Sequence, residues 1–374
     1  MSALDLPGLP PPQVAGRLAR LRPRMADAGV DQLLVTSTVN VRYLTGFSGS
    51  AGIVLVTAQD ALLATDGRYR TQAAEQLRFA GIDGEVELVV GGAQLQREAV
   101  ADAVRRGGGR LGLEAEHVTW AGMQRWAALL DPIEPVPTSG LVEALRQVKD
   151  AGELARIERA AAIADGALGE VRELVRAGST EAEIALALDT AMRRLGAEDR
   201  AFETIVASGP NAAKPHARPT SRRLEPGDPV VVDFGATVEG YRSDMTRTFC
   251  VGGEPTGRLA AVFAAVAEAQ AAGLRAIRPG LVAGEVDRAC RDVVGAAGFG
   301  DAFEHGTGHG VGLDIHEAPA VGPGSTAILS AGVVVTVEPG VYLPGVGGVR
   351  IEDTVVVTDD GCRLVTHFPK DLAA

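Results

Sequence analysis

Three of the chain's six histidines fall in one short stretch, "EHGTGHGVGLDIHE" (residues 304–317). Imidazoles set among glycines mark a place where ring nitrogens approach something closely, because glycine lets the backbone run near a ligand. Carboxylates supply the other half of the chemistry. In "VVVDFGATVEGYRSDM", Asp233 and Asp244 flank "TVEG", which reads as a four-residue turn. A hairpin symmetric about it sets Asp233 opposite Asp244, Phe234 opposite Ser243 and Gly235 opposite Arg242. Directly opposed side chains have Cβ atoms about 4.5–5.5 Å apart, so the two aspartates share one spot. The stretch "EPGVYLPGVGGVRIE" repeats the pattern: pairing about Gly345 sets Glu338 against Glu352.

Like charges directly opposed in a sheet are destabilising, and the apolar neighbours in "VVVDFG" and "VVVTVEPG" bury these acids rather than solvate them. Two divalent cations balance four carboxylates, and bridging carboxylates hold such ions about 3.5–4 Å apart. Either pair alone reads equally as turn-flanking acids on a solvated face, since a one-residue slip moves a side chain to the other face. A lone histidine in a strand likewise reads as a structural residue. The conjunction of two acid pairs with a histidine cluster points to metal. An oxygen-rich set with one or two imidazoles suits Mn(II), Co(II), Fe(II) or Zn(II) and argues against thiophilic metals. His117 and His367 fit no motif and read as structural.

The elements that must position these residues follow from patterning. Up to residue 130, short β-rich runs ("DQLLVTS", "GIVLVTA", "ALLATD", "VELVV", "RLGLEAE") alternate with helical stretches ("GRYRTQAAEQL", "REAVADAVRRG"), which predicts an α/β domain. "DPIEPVPTSG" (131–140) packs three prolines into ten residues, removing donors and fixing φ, so a linker is expected there, with domains at 1–138 and 139–374. Two helices follow; at the second, Ser179 with Ala182 makes only half a capping box. Strands in "PVVVDFGATVEGYRSDMTRTFCV", two more helices, and strands in "GVVVTVEPGVYLPGVGGVRIEDTVVVT" complete an α+β domain with a largely antiparallel sheet. The helix–helix–hairpin order occurs twice, which hints at two related halves.

A net charge of −12 and a pI near 5.1 argue against nucleic-acid or anionic-membrane partners, which demand clustered Lys and Arg. The N-terminus lacks a basic then apolar leader, and no long run of purely apolar residues occurs, so a cytoplasmic protein is expected. Cys250, Cys290 and Cys362 are scattered and odd in number, which suits buried or inert thiols rather than a disulfide framework.

Taken in order, "VVVDFG", "GYRSDMTRTF", "HGTGHGVGLDIHE", "TVEPGVY" and "VRIEDTVVVT", with "GPNAAKPHARPT" upstream, resemble the pita-bread-fold metallopeptidases, which include aminopeptidase P, prolidase and methionine aminopeptidase. The resemblance covers nearly the whole chain. It implies a C-terminal pita-bread (creatinase/aminopeptidase) catalytic domain behind a smaller α/β N-terminal domain. It also implies five ligands for two divalent ions, with Mn(II) the first expectation and Co(II), Zn(II) or Fe(II) the alternatives. Asp244 and Glu352 would bridge, Asp233 would chelate one ion, and His309 with Glu338 would complete the other. Glu338 would double as general base. His305 and His316 would line the substrate pocket, with His316 reaching the substrate carbonyl on the proline side; His216 would close the pocket, and Arg350 would border it. "NVRYLTGFSGSAG" (40–52) and "TDGRY" (65–69) resemble aminopeptidase P and favour an Xaa-Pro peptidase over a methionine aminopeptidase. The expected activity is an Xaa-Pro aminopeptidase, with a dipeptide-restricted prolidase as the alternative, acting on proline-containing peptides as a homodimer. Metal-free creatinase and non-catalytic members of the fold are remote alternatives, because all five ligand positions carry the family's residue types.

Overall fold

The computed structural model describes residues 8–370, in two compact units: Pro11–Arg146, and Gln147 onward together with the residues before Pro11. The first unit runs α1 (Arg17–Asp27), β1 (Gln32–Val35), α2 (Thr38–Thr45), β2 (Gly52–Val56), β3 (Ala61–Thr65), α3 (Arg70–Phe79), β4 (Val86–Val90), α4 (Ala93–Gly107), β5 (Leu111–Glu114), α5 (Trp120–Leu130), β6 (Val136–Thr138) and α6 (Glu143–Arg146). Its six-stranded sheet has the order β4-β3-β2-β1-β5-β6, parallel except around the β1–β2–β3 meander. The five β-rich runs of the sequence form β1 to β5. Within the proline-rich stretch, Val136–Thr138 adds an edge strand to β5, where proline's missing donor costs no ladder bond on the open side. The unit ends at Arg146, past the boundary expected at 138.

The second unit begins with α7 (Ala151–Val171) and α8 (Glu181–Arg194), then β7 (Asp199–Arg200), β8 (Ile205–Ser208), β9 (Pro229–Phe234), β10 (Ala236–Val238), β11 (Tyr241–Arg242) and β12 (Met245–Cys250). A second cycle follows: α9 (Gly257–Ala276), α10 (Ala283–Ala296), β13 (Gly308–Gly310), β14 (Glu317–Val321), β15 (Val334–Val337), β16 (Gly340–Leu343), β17 (Gly347–Arg350), β18 (Asp353–Val357) and β19 (Cys362–Leu364). Every strand pairing here is antiparallel, as expected. Each cycle has its own apolar core: α7 and α8 pack on β8, β9, β10 and β12, and α9 and α10 pack on β15 to β18. α9 is long and apolar enough by composition to cross a bilayer, yet it buries Val262, Phe263, Val266 and Ala269 in the second core.

The cap of α8 corrects the sequence reading by one residue. Thr180, not Ser179, is the N-cap, and with Glu183 at the third position it forms a complete capping box. Asp150 and Glu153 cap α7 in the same way.

Candidate metal centre

The first acid pair is carried by the hairpin from β9 to β12. Its turn is Val238–Tyr241, with Glu239 at φ 43° and Gly240 at φ 75° as the two central residues. Left-handed conformation at both positions is the type I′ geometry that matches strand twist, and it needs two residues rather than the four of "TVEG". The register therefore differs from the expected one by two: Asp233 faces Thr246 rather than Asp244, and Thr237 rather than Gly235 faces Arg242. A two-residue shift preserves the face, because side chains alternate with period two. Asp233 and Asp244 remain on one side as diagonal neighbours. Gly235 is obligatory between them, since a Cβ there would lie 1.9 Å from the Ser243 carbonyl oxygen.

The second pair has the expected register. Val337 faces Asp353 and Gly340 faces Arg350, so Glu338 and Glu352 fall opposite each other between these two rungs. One carboxylate oxygen each from Asp233, Asp244 and Glu352 lies within 4.8 Å of the others. Glu338 joins them through His309, whose Nε2 is 3.2 Å from Glu338 Oε1 and 3.5 Å from Asp244 Oδ2. His309 stands on β13, pressed so closely on β15 that a Cβ at Gly308 would lie 2.0 Å from the Thr336 carbonyl oxygen.

The remaining expected residues line one cavity of about 400 Å³ with this cluster: His216, His305, His316 and Arg350, with Phe202, Ile205 and Pro219 as apolar wall. The His316 ring meets that of His309 edge to face at 4.3 Å. Arg350 is buried; it donates to Asp233 Oδ2 at 2.5 Å, to the Tyr342 hydroxyl at 2.8 Å and to Thr246 Oγ1 at 3.1 Å. Its place is therefore beside a ligand candidate as much as on the pocket border.

Burial, reinforced by the neighbouring acids, pushes Asp244 and Glu352 well above the usual carboxylate range. Burial also raises Asp233, against the pull of Arg350. For Glu338 burial acts upward too, but the His309 hydrogen bond and charge win and hold it at about 2, while the same contact raises His309 against its own burial. Burial lowers His305 and His316. Two oxygens, Asp233 Oδ1 and Glu352 Oε1, are buried and accept no hydrogen bond. A buried acceptor without a partner carries a desolvation cost, and a hard divalent cation is the partner that four carboxylates and one imidazole suit.

A second acidic group, Glu114 with His117 and Glu143 in the first unit, shows the contrast. Glu114 is already saturated: it accepts from Thr36 N at 2.6 Å, Ser37 N at 2.8 Å and Asn40 Nδ2 at 2.7 Å. It ties strand ends together, and each of its oxygens already has a donor within the protein.

Sequence reasoning passed over several residues of the site. Tyr342 accepts a hydrogen bond from Arg350 and meets His305 Nε2 at 2.9 Å. Thr246 donates to Glu352 at 2.7 Å and Thr336 to Glu338 at 2.9 Å. Each threonine is two residues from an acid of its own hairpin, on the same strand face, a spacing readable beforehand. Lys149, one of only three lysines, makes a buried 2.7 Å ion pair with Glu317, next to His316. That contact spans too much sequence for local patterning to reveal.

Known proteins share this architecture. The description of metallopeptidase family M24 matches residues 155–359, and that of the creatinase/prolidase N-terminal domain matches residues 17–148. An uncharacterized peptidase of Bacillus subtilis, YqhT, is 42% identical over 95% of this chain and 99% of its own. The solved structure of an Xaa-Pro dipeptidase from Bacillus anthracis superposes with a TM-score of 0.91 at 40% identity, covering 96% of this chain and 99% of that one. An X-Pro aminopeptidase from Thermotoga maritima superposes at 0.84 with 34% identity, covering 96% and 99%.

Proposed function

Because the chain belongs to metallopeptidase family M24, with a creatinase/prolidase N-terminal domain, we propose that this hydrolase is an Xaa-Pro aminopeptidase with a dinuclear divalent-metal centre. Asp233, Asp244, His309, Glu338 and Glu352 would hold the ions, Mn(II) being the first expectation. The observation that carries this is the pair of unpartnered buried oxygens, on Asp233 and Glu352, inside a cluster of three acids that His309 joins to a fourth, Glu338. When bound, the ions supply a water of lowered pKa and polarise the scissile carbonyl.

The chain's own residues do the rest. Glu338, held at about 2 by His309 against its burial, is ionised at neutral pH and is the base that takes the water's proton and passes it to the leaving nitrogen. His316, kept neutral by burial, has one ring N–H to donate to the substrate carbonyl on the proline side. His305, also lowered by burial, lines the same pocket. His216, exposed at the rim, closes the pocket over the bound peptide. Proline offers no N–H and a fixed φ, so a binder of Xaa-Pro gains from apolar wall such as Pro219 and Ile205 rather than from a backbone acceptor. The enzyme would act as a cytoplasmic homodimer; the free thiols of its three cysteines suit a reducing compartment.

A dipeptidase restricted to Xaa-Pro is the second reading, favoured by the likeness to the Bacillus anthracis Xaa-Pro dipeptidase. Hydrolysis of Ala-Pro, Ala-Pro-Ala and Met-Ala-Ser by chelated enzyme reconstituted with Mn(II), Co(II) or Zn(II) decides. Cleavage of both proline substrates supports the aminopeptidase. Cleavage of Ala-Pro alone makes it a prolidase, and cleavage of Met-Ala-Ser alone removes the proline assignment.

A further inference from the structure

α10 packs on the second core through Val286, Cys290 and Val294, which is sufficient to dock an amphipathic helix. Between them it also carries Asp287, only 2% exposed, and Arg291 one turn later. Their contacts run to the metal centre by two routes.

Along the first, Asp287 Oδ1 accepts from Thr307 N at 3.1 Å and Thr307 Oγ1 at 2.9 Å, and the Thr307 carbonyl accepts from Glu338 N at 2.7 Å. The backbone that carries the base is thus fixed from the helix. Along the second, Asp287 Oδ2 orients Arg291 by accepting from Nε at 2.8 Å. Arg291 donates to the carbonyls of Phe303, at 3.0 Å, and His305, and lies 4.2 Å over the Phe303 ring, which meets His305 edge to face at 5.3 Å. His305 Nδ1 donates to the Gly306 carbonyl, leaving Nε2 to accept from Tyr342, which accepts from Arg350, which donates to Asp233. The ion pair on α10 is therefore linked by contacts to Glu338 and, four contacts beyond Arg291, to Asp233.

We infer that Asp287 and Arg291 are positioning residues for the metal centre: they set the geometry of Glu338 through Thr307 and of Asp233 through His305, Tyr342 and Arg350, touching neither ion nor substrate themselves. Asp287 is buried and Arg291 half-buried, and such a pair is a poor way to stabilise a helix already docked by apolar contacts, because desolvating the carboxylate offsets much of the Coulombic gain. Its return here is orientation: groups that touch a metal ligand typically change metal affinity or activity by about 10–100-fold when removed, and Asp287 and Arg291, at least one contact further out, should reach about the lower end of that range. The inference rests on the metal centre proposed above.

The test uses full-length protein with Asp287→Asn, Arg291→Met, Arg291→Lys and Thr307→Val, measuring Co(II) affinity by its visible absorption, kcat and KM on Ala-Pro, and thermal midpoint. Asp287→Asn and Arg291→Met should each lower Co(II) affinity or kcat by about 10-fold with KM within about two-fold. Arg291→Lys should recover part of the loss, and Asp287→Asn should add little to Thr307→Val along their shared route. Arg275→Met, in an exposed pair with Glu268 on α9, is the control that changes nothing. A lowered thermal midpoint with Co(II) affinity and kcat both at wild-type level would overturn the inference. If Arg291→Met does not fold, Arg291→Lys and Thr307→Val carry the test. Wild-type protein that binds Co(II) yet cleaves no Xaa-Pro peptide would remove the peptidase reading, while the affinities still decide the positioning.

Discussion

Stripping the metal should make stability fall as pH rises through the near-neutral range, the reverse of what salt-bridged carboxylates do. Asp244 and Glu352 are raised well above the usual range by burial and by their acidic neighbours. Between the unfolded values near 4 and those raised values, the fold keeps a proton that the unfolded chain gives up. Stability is then lost with increasing pH, at about 1.4 kcal/mol per pH unit for one such group and about 2.7 for two titrating together. His309 acts in the same direction: raised by Glu338, its contribution is present below the unfolded value and disappears as pH climbs through the folded one. Glu338 opposes them only in acid, because its contribution, present above about pH 4, is lost as pH falls towards about 2. Divalent cations displace the same protons, so their stabilisation must grow with pH by about 1.4 kcal/mol per unit for each proton released. Urea denaturation of chelated and Mn(II)-loaded protein from about pH 5 to about 8 reads the difference, in which groups remote from the site cancel. The difference should widen by about 1.4–2.7 kcal/mol per pH unit over the lower part of that range. A difference that stays flat or narrows would refute the account of the acids as a proton-loaded, metal-accepting cluster.

Two substitutions separate the site's components. His316→Ala should cut kcat by about 10²–10³-fold with metal content unchanged, as expected of a hydrogen-bond donor to developing charge; loss of metal, measured by elemental analysis, would mean that His316 is a ligand. Gly235→Ala drives a Cβ to within 1.9 Å of the Ser243 carbonyl, so it should cost about 1–3 kcal/mol or more in urea and lower metal content, because the strand must move between Asp233 and Asp244. Wild-type stability and metal content would show that the strands separate there freely.

Both acid pairs were legible because side-chain alternation survives errors of turn geometry. The expected and observed registers of the first hairpin differ by two, since Glu239 and Gly240 form a tighter turn than "TVEG", yet Asp233 and Asp244 keep their common face. In the second hairpin Gly345 centres the turn, and the rungs on either side of Glu338 and Glu352 match the sequence reading. The strand β6 was not legible: three prolines in "DPIEPVPTSG" read as a break, but Val136–Thr138 needs to pair on only one side. Nor was the route from Asp287 to Glu338, which runs through Thr307 and a backbone carbonyl that no spacing rule reports.

Alternation also explains why the acids meet at all. β12 lies along the second hairpin: Glu352 N donates to the Thr246 carbonyl, and Thr248 Oγ1 donates to the Arg350 carbonyl while accepting from Arg350 N. One face of this seam carries Asp244, Thr246, Arg350 and Glu352. Their neighbours Arg247 and Asp353 point to the other face, where they pair at 2.8 Å. The back face is saturated: Asp353 also accepts from Gln270 at 2.9 Å and Thr366 at 3.0 Å and pairs with Lys370 at 2.5 Å. The same pair of strands thus handles buried carboxylates in two ways. Behind, side chains meet both oxygens of Asp353. In front, Glu352 Oε1 and Asp233 Oδ1 are buried without a donor, although Thr246 and Arg350 stand close enough to serve their other oxygens. A fold able to satisfy one aspartate so fully has no steric reason to leave its neighbours half satisfied. The orphan oxygens are a cost retained on one face only, and cations are what offset it.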